Sequence, residues 1–292
     1  MLFVIKVWLE NAWKTLVSIL RVAFLSKYNV NLPKLAEKEQ GLVILGNGPS
    51  LKSDLTNWIH TLDSKDIMCV NHFPITQEYI DLKPKYYITS APDLWLDDID
   101  EKFVIASKKL FETMAEVTDW SITFFIPFEA KKYTRWKEQL VGNHNIKIVY
   151  FNNIGVEGFL SFSHLVYRLK LGMPRPHNIM IPSITNAIIM GYKKIYLWGV
   201  DHSWLPEISV TKQNDVLLHQ KHFYDEGTSK ASTLDKRGKG KRKLFEVLHK
   251  FMLAFEGYFL LKDFANSMNV EIINTTEGSF IDAFEKVSLK DL

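Results

Sequence analysis

Short apolar runs recur along the chain, and each ends in a cluster of small or polar residues. The first is 42–45, Leu-Val-Ile-Leu, which breaks at Gly46-Asn47-Gly48-Pro49 before Ser50 and Leu51. An unbroken run of this length suits a strand buried on both faces of a parallel sheet. Residues 53–62 have the spacing of a helix that follows it. Residues 66–70 predict a second strand, ending at Asn71-His72-Phe73-Pro74, and 85–89 a third, ending at Ser90-Ala91-Pro92-Asp93. Residues 103–106, 122–126 and 146–151 read as further strands. A helix is predicted over 183–190, then a strand over 194–199 that runs into Val200-Asp201-His202-Ser203-Trp204. Helical spacing returns over 244–268, and 270–274 is the last strand. Alternating strands and helices imply an α/β fold with a doubly wound, mainly parallel, Rossmann-like sheet. Ligands of such sheets bind beyond the carboxyl ends of the strands. Asn47, Asn71, Asp93, Asp201 and His202 all fall there.

The N-terminus follows another rule. Residues 1–27 are rich in Leu, Val, Ile, Phe and Trp, while Lys6, Glu10, Lys14, Ser18 and Arg21 recur every three to four positions. This makes one narrow polar stripe on a helix. No uncharged run approaches the ~20 residues that a spanning helix needs. An amphipathic helix over 1–30 is expected, lying on a membrane surface with Trp8, Trp13 and the basic side chains at the interface. Packing on the protein's own core or on another subunit is the plainer use of such a helix. A polar connector, 31–40, leads to one α/β domain over 41–292. Within it, 228–243 carries Lys230, Lys236, Arg237, Lys239, Lys241, Arg242 and Lys243 with Gly238 and Gly240. A mobile basic loop is expected there: a solvated linker, a lid over a phosphorylated donor, or a contact with anionic lipid.

Composition narrows the choice little. The chain has 292 residues, 47% of them hydrophobic, enough for one large core, and a formal net charge of +3. That charge is too small to argue for nucleic acid. With one cysteine, Cys69, no internal disulfide and no Cys/His zinc pattern is possible, which suits a reducing cytoplasm.

The candidate chemistry starts at Gly46-Asn-Gly-Pro-Ser50. A strand, a glycine turn and a helix start together present backbone N–H groups and a positive dipole end to an anion, most simply a nucleotide phosphate. A simple βα turn has the same pattern. The Asp-x-Asp within Asp97-Asp98-Ile99-Asp100 is of the type that holds Mg²⁺ or Mn²⁺, but acidic residues are also favoured at helix starts. We expect no metal site and no cofactor. Trp198, Trp204 and Phe223 stand near strand ends, where they form either core or a sugar-stacking wall.

These segments resemble known motifs. Gly46-Asn-Gly-Pro-Ser-Leu51 is similar to the opening motif of the small bacterial sialyltransferases (glycosyltransferase family 42). Val70-Asn71-His72-Phe73 resembles their Cys-Asn-Gln-Phe segment, and Gly191-Tyr-Lys-Lys-Ile-Tyr-Leu-Trp-Gly-Val-Asp201 their Gly-Tyr-Lys-Glu-Ile-Tyr-Leu-x-Gly-Ile-Asp segment. The same elements, with Asp-His-Ser-Trp and a late Asn-x-Thr-x-Gly-Ser, also resemble the MptE-like (DUF115) domain. That domain occurs in flagellin-modifying glycosyltransferases and in surface-polysaccharide clusters. The resemblance covers 41–285 in patches. It implies a GT-A-like variant of the fold and a bacterial, membrane-associated glycosyltransferase. The enzyme would move a nonulosonic-acid-type sugar (sialic, pseudaminic, legionaminic or Kdo-like) from a CMP-activated donor to a surface glycan or glycolipid, with inversion. From the N-terminal helix and the single cysteine a cytoplasmic place, peripheral to the inner membrane face, is expected; homo-oligomers are allowed, and with the basic residues in one loop no nucleic-acid partner is expected.

By that resemblance Asn47 and Asn71 would contact the donor, Gly46 and Gly48 would let the backbone approach it, and Ser50, Gly199 and Asp201 would complete the site. Ser183, Thr185 and Asn186 fall near the family's Thr-Ser pair. The family's catalytic His-Tyr-x-Gly-His stretch is absent. A base for the acceptor hydroxyl is then sought among His222 and His249, with His202 shaping the site; histidine suits this work by its near-neutral titration. The alternatives are an MptE-like pyrophosphokinase using ATP and Mg²⁺, which only the 97–100 cluster favours, and a catalytically silent nucleotide-binding scaffold.

Overall fold

A computed structural model describes residues 1–35, 41–225, 229–235 and 240–292. At its centre is β1 (Gly41–Leu45), buried at every position. Leu42 and Ile44 point into one core and Val43 and Leu45 into the other, the period-2 alternation of a two-faced strand. Each such side chain contributes about 1.5–3 kcal/mol by leaving water. β1 pairs in parallel with β2 (Lys65–Val70) on one side, and the sheet continues outward through β3 (Tyr86–Ile88), β4 (Ile122–Pro127) and β5 (Ile146–Phe151). The chain then returns to place β6 (Lys194–Trp198) against the other edge of β1. Two later strands extend that side, Glu271–Asn274 and Glu285–Lys286, all parallel. The chain therefore reverses its direction of travel across the sheet between β1 and β6.

Helices cover both faces. α2 (Leu51–Trp58), α3 (Gln77–Leu82), α4 (Glu101–Val117) and α5 (Arg135–Glu138) pack on the Val43 face. α6 (Leu160–Arg168), α7 (Met180–Met190) and α8 (Leu244–Ser267) pack on the Leu42 face. A small antiparallel sheet precedes α8: β7 (Ile208–Val210), β8 (Val216–Leu218) and β9 (Ser232–Thr233). The two late parallel strands are β10 and β11.

One expectation changes. Residues 103–106 are not a strand but the second turn of α4. Asp100 opens that helix by accepting the Lys102 N–H at 3.2 Å. The buried positions are Ser107, Leu110, Phe111 and Met114, a helical spacing, while Phe103 and Ile105 face solvent. The N-terminal helix α1 (Leu2–Leu25) forms as expected; Lys14, Ser18 and Arg21 of its polar stripe turn to the domain, while Lys6 and Glu10 stay exposed. Ser18 is 1% exposed, and its hydroxyl meets the Glu157 carbonyl and N–H, both at 2.9 Å. The Thr15 hydroxyl accepts the Phe159 N–H at 2.9 Å, and Arg21 stands 3.7 Å from Glu157. No helix among the described residues is long and apolar enough to cross a membrane. Of the expected basic loop, residues 228 and 236–239, with Lys236, Arg237 and Lys239, lie outside the described residues; so do 36–40 of the connector.

Candidate functional site

Where the sheet changes direction, the turns after β1 and β6 lock together. The Gly46 N–H donates to the Trp198 carbonyl at 2.7 Å and the Gly48 N–H to the Gly199 carbonyl at 2.8 Å. A Cβ on Gly46 would lie 2.4 Å from the Gly199 oxygen, and one on Gly48 1.8 Å from the Asp201 carboxylate. Of the three glycines only Gly199 has a left-handed backbone, at φ 61°. Gly46 and Gly48 are thus needed to admit the neighbouring turn.

Asp201 fills the start of α2. The Ser50 hydroxyl donates to its carboxylate at 2.9 Å and the Ser50 N–H at 3.4 Å. Ser50 does not cap α2 with its own side chain. The anion expected at this helix start is the protein's own carboxylate, and the amides of Gly46, Gly48 and Ser50 already have acceptors. These three amides of the expected phosphate cradle are engaged within the protein.

Burial raises the pKa of Asp201, with the Ser50 hydrogen bonds opposing. Asp54 nearby is 8% exposed, and one of its carboxylate oxygens has no hydrogen-bond partner. Its pKa is raised from 3.8 to about 6, by burial first and by the Asp201 charge second. Below pH 3.8 the group is protonated whether the chain is folded or not, and above about 6 the folded chain carries the cost of its charge. Stability should therefore fall as pH rises through this window. Asp54→Asn is expected to flatten that fall and to be about 2 kcal/mol more stable than the parent at pH 7, as read by urea unfolding across the range.

Beyond the locked turns lies a cleft of about 730 Å³. One wall carries Asn47, Asn71, His72, Asp93, His222 and Tyr224. Asn47 donates to the Val70 carbonyl at 3.1 Å, while its side-chain oxygen is buried without a partner. Asn71 has a left-handed backbone, φ 49°, and its side-chain oxygen accepts from the Thr89 hydroxyl at 3.2 Å. The 222–225 turn is tied to the glycine turn by the Phe223 N–H, which donates to the Asn47 carbonyl at 3.1 Å. One Asp225 carboxylate oxygen accepts the His222 N–H at 2.6 Å and lies 3.3 Å from His222 Nδ1. The His222 ring stacks on Tyr224, with centroids 5.1 Å apart. Burial lowers the pKa of His72, partly offset by Asp93 and reinforced by His222.

The opposite wall carries His202, Trp204 and Asn178. His202 has a left-handed backbone, φ 47°, and burial pushes its pKa down to about 3. Its Nδ1 is 3.0 Å from the Tyr258 hydroxyl, and its ring stacks on Trp204 at 4.1 Å. The Asn178 side chain accepts the Met180 N–H at 2.8 Å, leaving its amide nitrogen buried and unpartnered. Lys221, paired with Glu207 at 2.6 Å, and Lys250 bring positive charge to the lining.

Gly46, Asn47, Gly48, Asn71, Gly199, Asp201, His202 and His222 are thus brought to one place, and Ser50 sits beneath it, bonded to Asp201. Ser183, Thr185 and Asn186 are not. They lie inside α7, buried on nearly every face, where the Ser183 and Thr185 hydroxyls donate to the Ile179 and Ile181 carbonyls, both at 2.8 Å. Such back-bonding lets small polar residues sit in a buried helix. His249 is exposed and does not line the cleft. α8 turns Val247, Lys250, Phe251 and Ala254 toward it, and position 249 is off that stripe. Trp198 and Phe223 are core residues; of the three aromatics, Trp204 lines the cleft. Asp97, Asp98 and Asp100 are not among the lining residues, and Asp97 stands 3.5 Å from Arg135. Asn178, His219 and Lys250 were missed. The proline-bounded segment Pro174-Arg-Pro-His-Asn178 was the available signal for the first.

No family model and no curated protein matches this chain. In fold it is similar to the MAf glycosyltransferase from Magnetospirillum magneticum AMB-1, with a TM-score of 0.51 over 97% of this chain and 12% identity. The match covers 39% of that protein, so this chain spans about two fifths of its length. The likeness is one of fold: a Rossmann-like, mainly parallel sheet.

Proposed function

We propose that this chain is a glycosyltransferase that binds a nucleotide-activated sugar in the cleft between β1 and β6. The observation that carries the reading is the convergence of Asn47, Asn71 and the His222–Asp225 pair on one wall of that cleft, at the place where open α/β sheets bind ligands. The likeness to a glycosyltransferase in fold supports the reaction class. The motif resemblance supports a CMP-activated, nonulosonic-acid-type donor, and a surface glycan or glycolipid as acceptor.

In this reading His222 takes the proton of the acceptor hydroxyl as that oxygen attacks the anomeric carbon. The new C–O bond forms as the bond to the phosphate oxygen breaks, and CMP leaves with the electron pair, so the configuration inverts. Asp225 holds the imidazole and balances the charge it gains. Lys221 and Lys250 oppose the negative charge of the departing phosphate. His202, buried and poorly basic, positions Trp204 against the sugar.

The test is a calorimetric and thermal-shift titration with CMP, CDP, UDP, GDP and ATP, with and without Mg²⁺. Selective CMP binding without metal is expected. A preference for UDP or GDP would keep the transferase and remove the CMP donor. Mg²⁺-dependent ATP binding would replace the reading with diphosphoryl transfer, and no binding would leave a scaffold.

A further inference from the structure

α1 carries its apolar residues on the wrong side for a helix of a self-contained domain. Its inward stripe is Asn11, Lys14, Thr15, Ser18 and Arg21, and the structure gives that stripe polar partners. Lys14 shares a small cleft with Glu157 and Glu256, and Thr15 and Ser18 bond the 157–159 backbone. Gly158 is required there, since a Cβ would lie 2.1 Å from the Thr15 hydroxyl. The outward stripe is Trp13, Leu16, Leu20 and Phe24, with Trp13 66% and Phe24 80% exposed. Trp8, Leu9 and Ile19 widen it. The helix is 24 residues long, about 36 Å. The chain on either side of α6 is tied to α1, by Trp8 on Phe159 before it and the Ser26 hydroxyl on the Leu171 carbonyl after it. α6 adds exposed Leu160, Leu165 and Leu169. An apolar surface of this extent, on a helix anchored by hydrogen bonds, marks an interaction site rather than scattered exposure.

We propose that the outward face of α1, extended by α6, docks the protein in the plane of an anionic bilayer surface. Charge chooses the occupant. Lys6 on α1, Lys27 just past it and Arg168 on α6 are exposed, Glu10 pairs with Lys14 at 2.8 Å and Glu157 with Arg21 and Arg175, and Glu256 faces Lys14 from α8. A second copy of the chain would bring the same basic residues against itself, whereas anionic headgroups neutralise them. Trp8 and Trp13 have the apolar body and N–H tip suited to the headgroup boundary. The surface does not depend on what the cleft catalyses, and its test needs no turnover.

The full chain is sedimented with vesicles of phosphatidylcholine alone or doped with phosphatidylglycerol, at low and high salt. Retention on the anionic vesicles, reduced by salt, is expected. The double change Leu16→Glu and Leu20→Glu should weaken it by more than about tenfold, with the melting temperature unchanged because both side chains face solvent. Quenching of tryptophan by brominated lipid should drop in a Trp8→Phe, Trp13→Phe variant, which reads contact independently of affinity. Equal retention on neutral vesicles would overturn the charge assignment. Absence of vesicle binding would overturn the proposal, in favour of a second copy if sedimentation velocity shows a dimer that the double change dissolves.

Discussion

His222→Ala is expected to lower sugar transfer by about 10²- to 10⁴-fold, the span over which a positioned base contributes, with little change in thermal stability. The ring is 40% exposed and rests on Tyr224, so its removal opens no core cavity. Asp225→Asn keeps an oxygen for the imidazole but loses the negative charge, and should cost about tenfold. His249→Ala, outside the cleft, should leave turnover as it is. Release of CMP from the donor, or of whichever nucleotide the titration selects, is the readout. Turnover of His222→Ala within a few-fold of the parent would remove this residue from the base role.

Gly46→Ala is expected to be among the most damaging single methyl additions to this chain. The added carbon would meet the Gly199 carbonyl oxygen at 2.4 Å, the Gly199 carbonyl carbon at 3.0 Å and Val200 at 2.9 Å. Two of these are backbone atoms of a turn held by the Gly46–Trp198 and Gly48–Gly199 hydrogen bonds, so no rotamer change relieves the contact. Overpacking of this kind costs at least about 3 kcal/mol, and separates β1 from β6 at the centre of the sheet. Urea unfolding measures it. Gly142→Ala makes the comparison: its Cβ would meet nothing within 4 Å, and its cost reduces to that of a left-handed backbone at φ 97°.

The central strands were legible because burial on both faces leaves a continuous apolar run, as in 42–45 and 195–198. The polar residues at their ends were legible for the same reason, since a parallel sheet gathers its strand ends at one edge. The partner of each polar residue was not. That Asp201 would reach Ser50 depends on two turns 151 positions apart meeting across β1 and β6, which no local spacing encodes. Residues 103–106 misled because four apolar residues in a row fit a short strand as well as one turn of a helix whose buried face lies elsewhere. Ser183, Thr185 and Asn186 read as binding residues by the motif resemblance, but in α7 they are small fillers of a buried helix. The strands β7, β8 and β9 have three, three and two residues, too few to show a period. For α1 the stripe was visible, but a periodic pattern does not say which side faces the domain.

The placement of Asp201 also gives the cleft a polarity. Asp201 lines it, with Asp54 buried nearby in α2, and both carboxyls are raised in pKa because their surroundings resist charge. Lys221, Lys250, His72 and His222 line the same cleft. A ligand with a charged end and a neutral end enters such a compartment in one orientation, with its phosphate turned away from α2 and toward the lysines. The helix dipole that usually draws phosphate into the depth of a nucleotide-binding sheet is spent here on a resident anion.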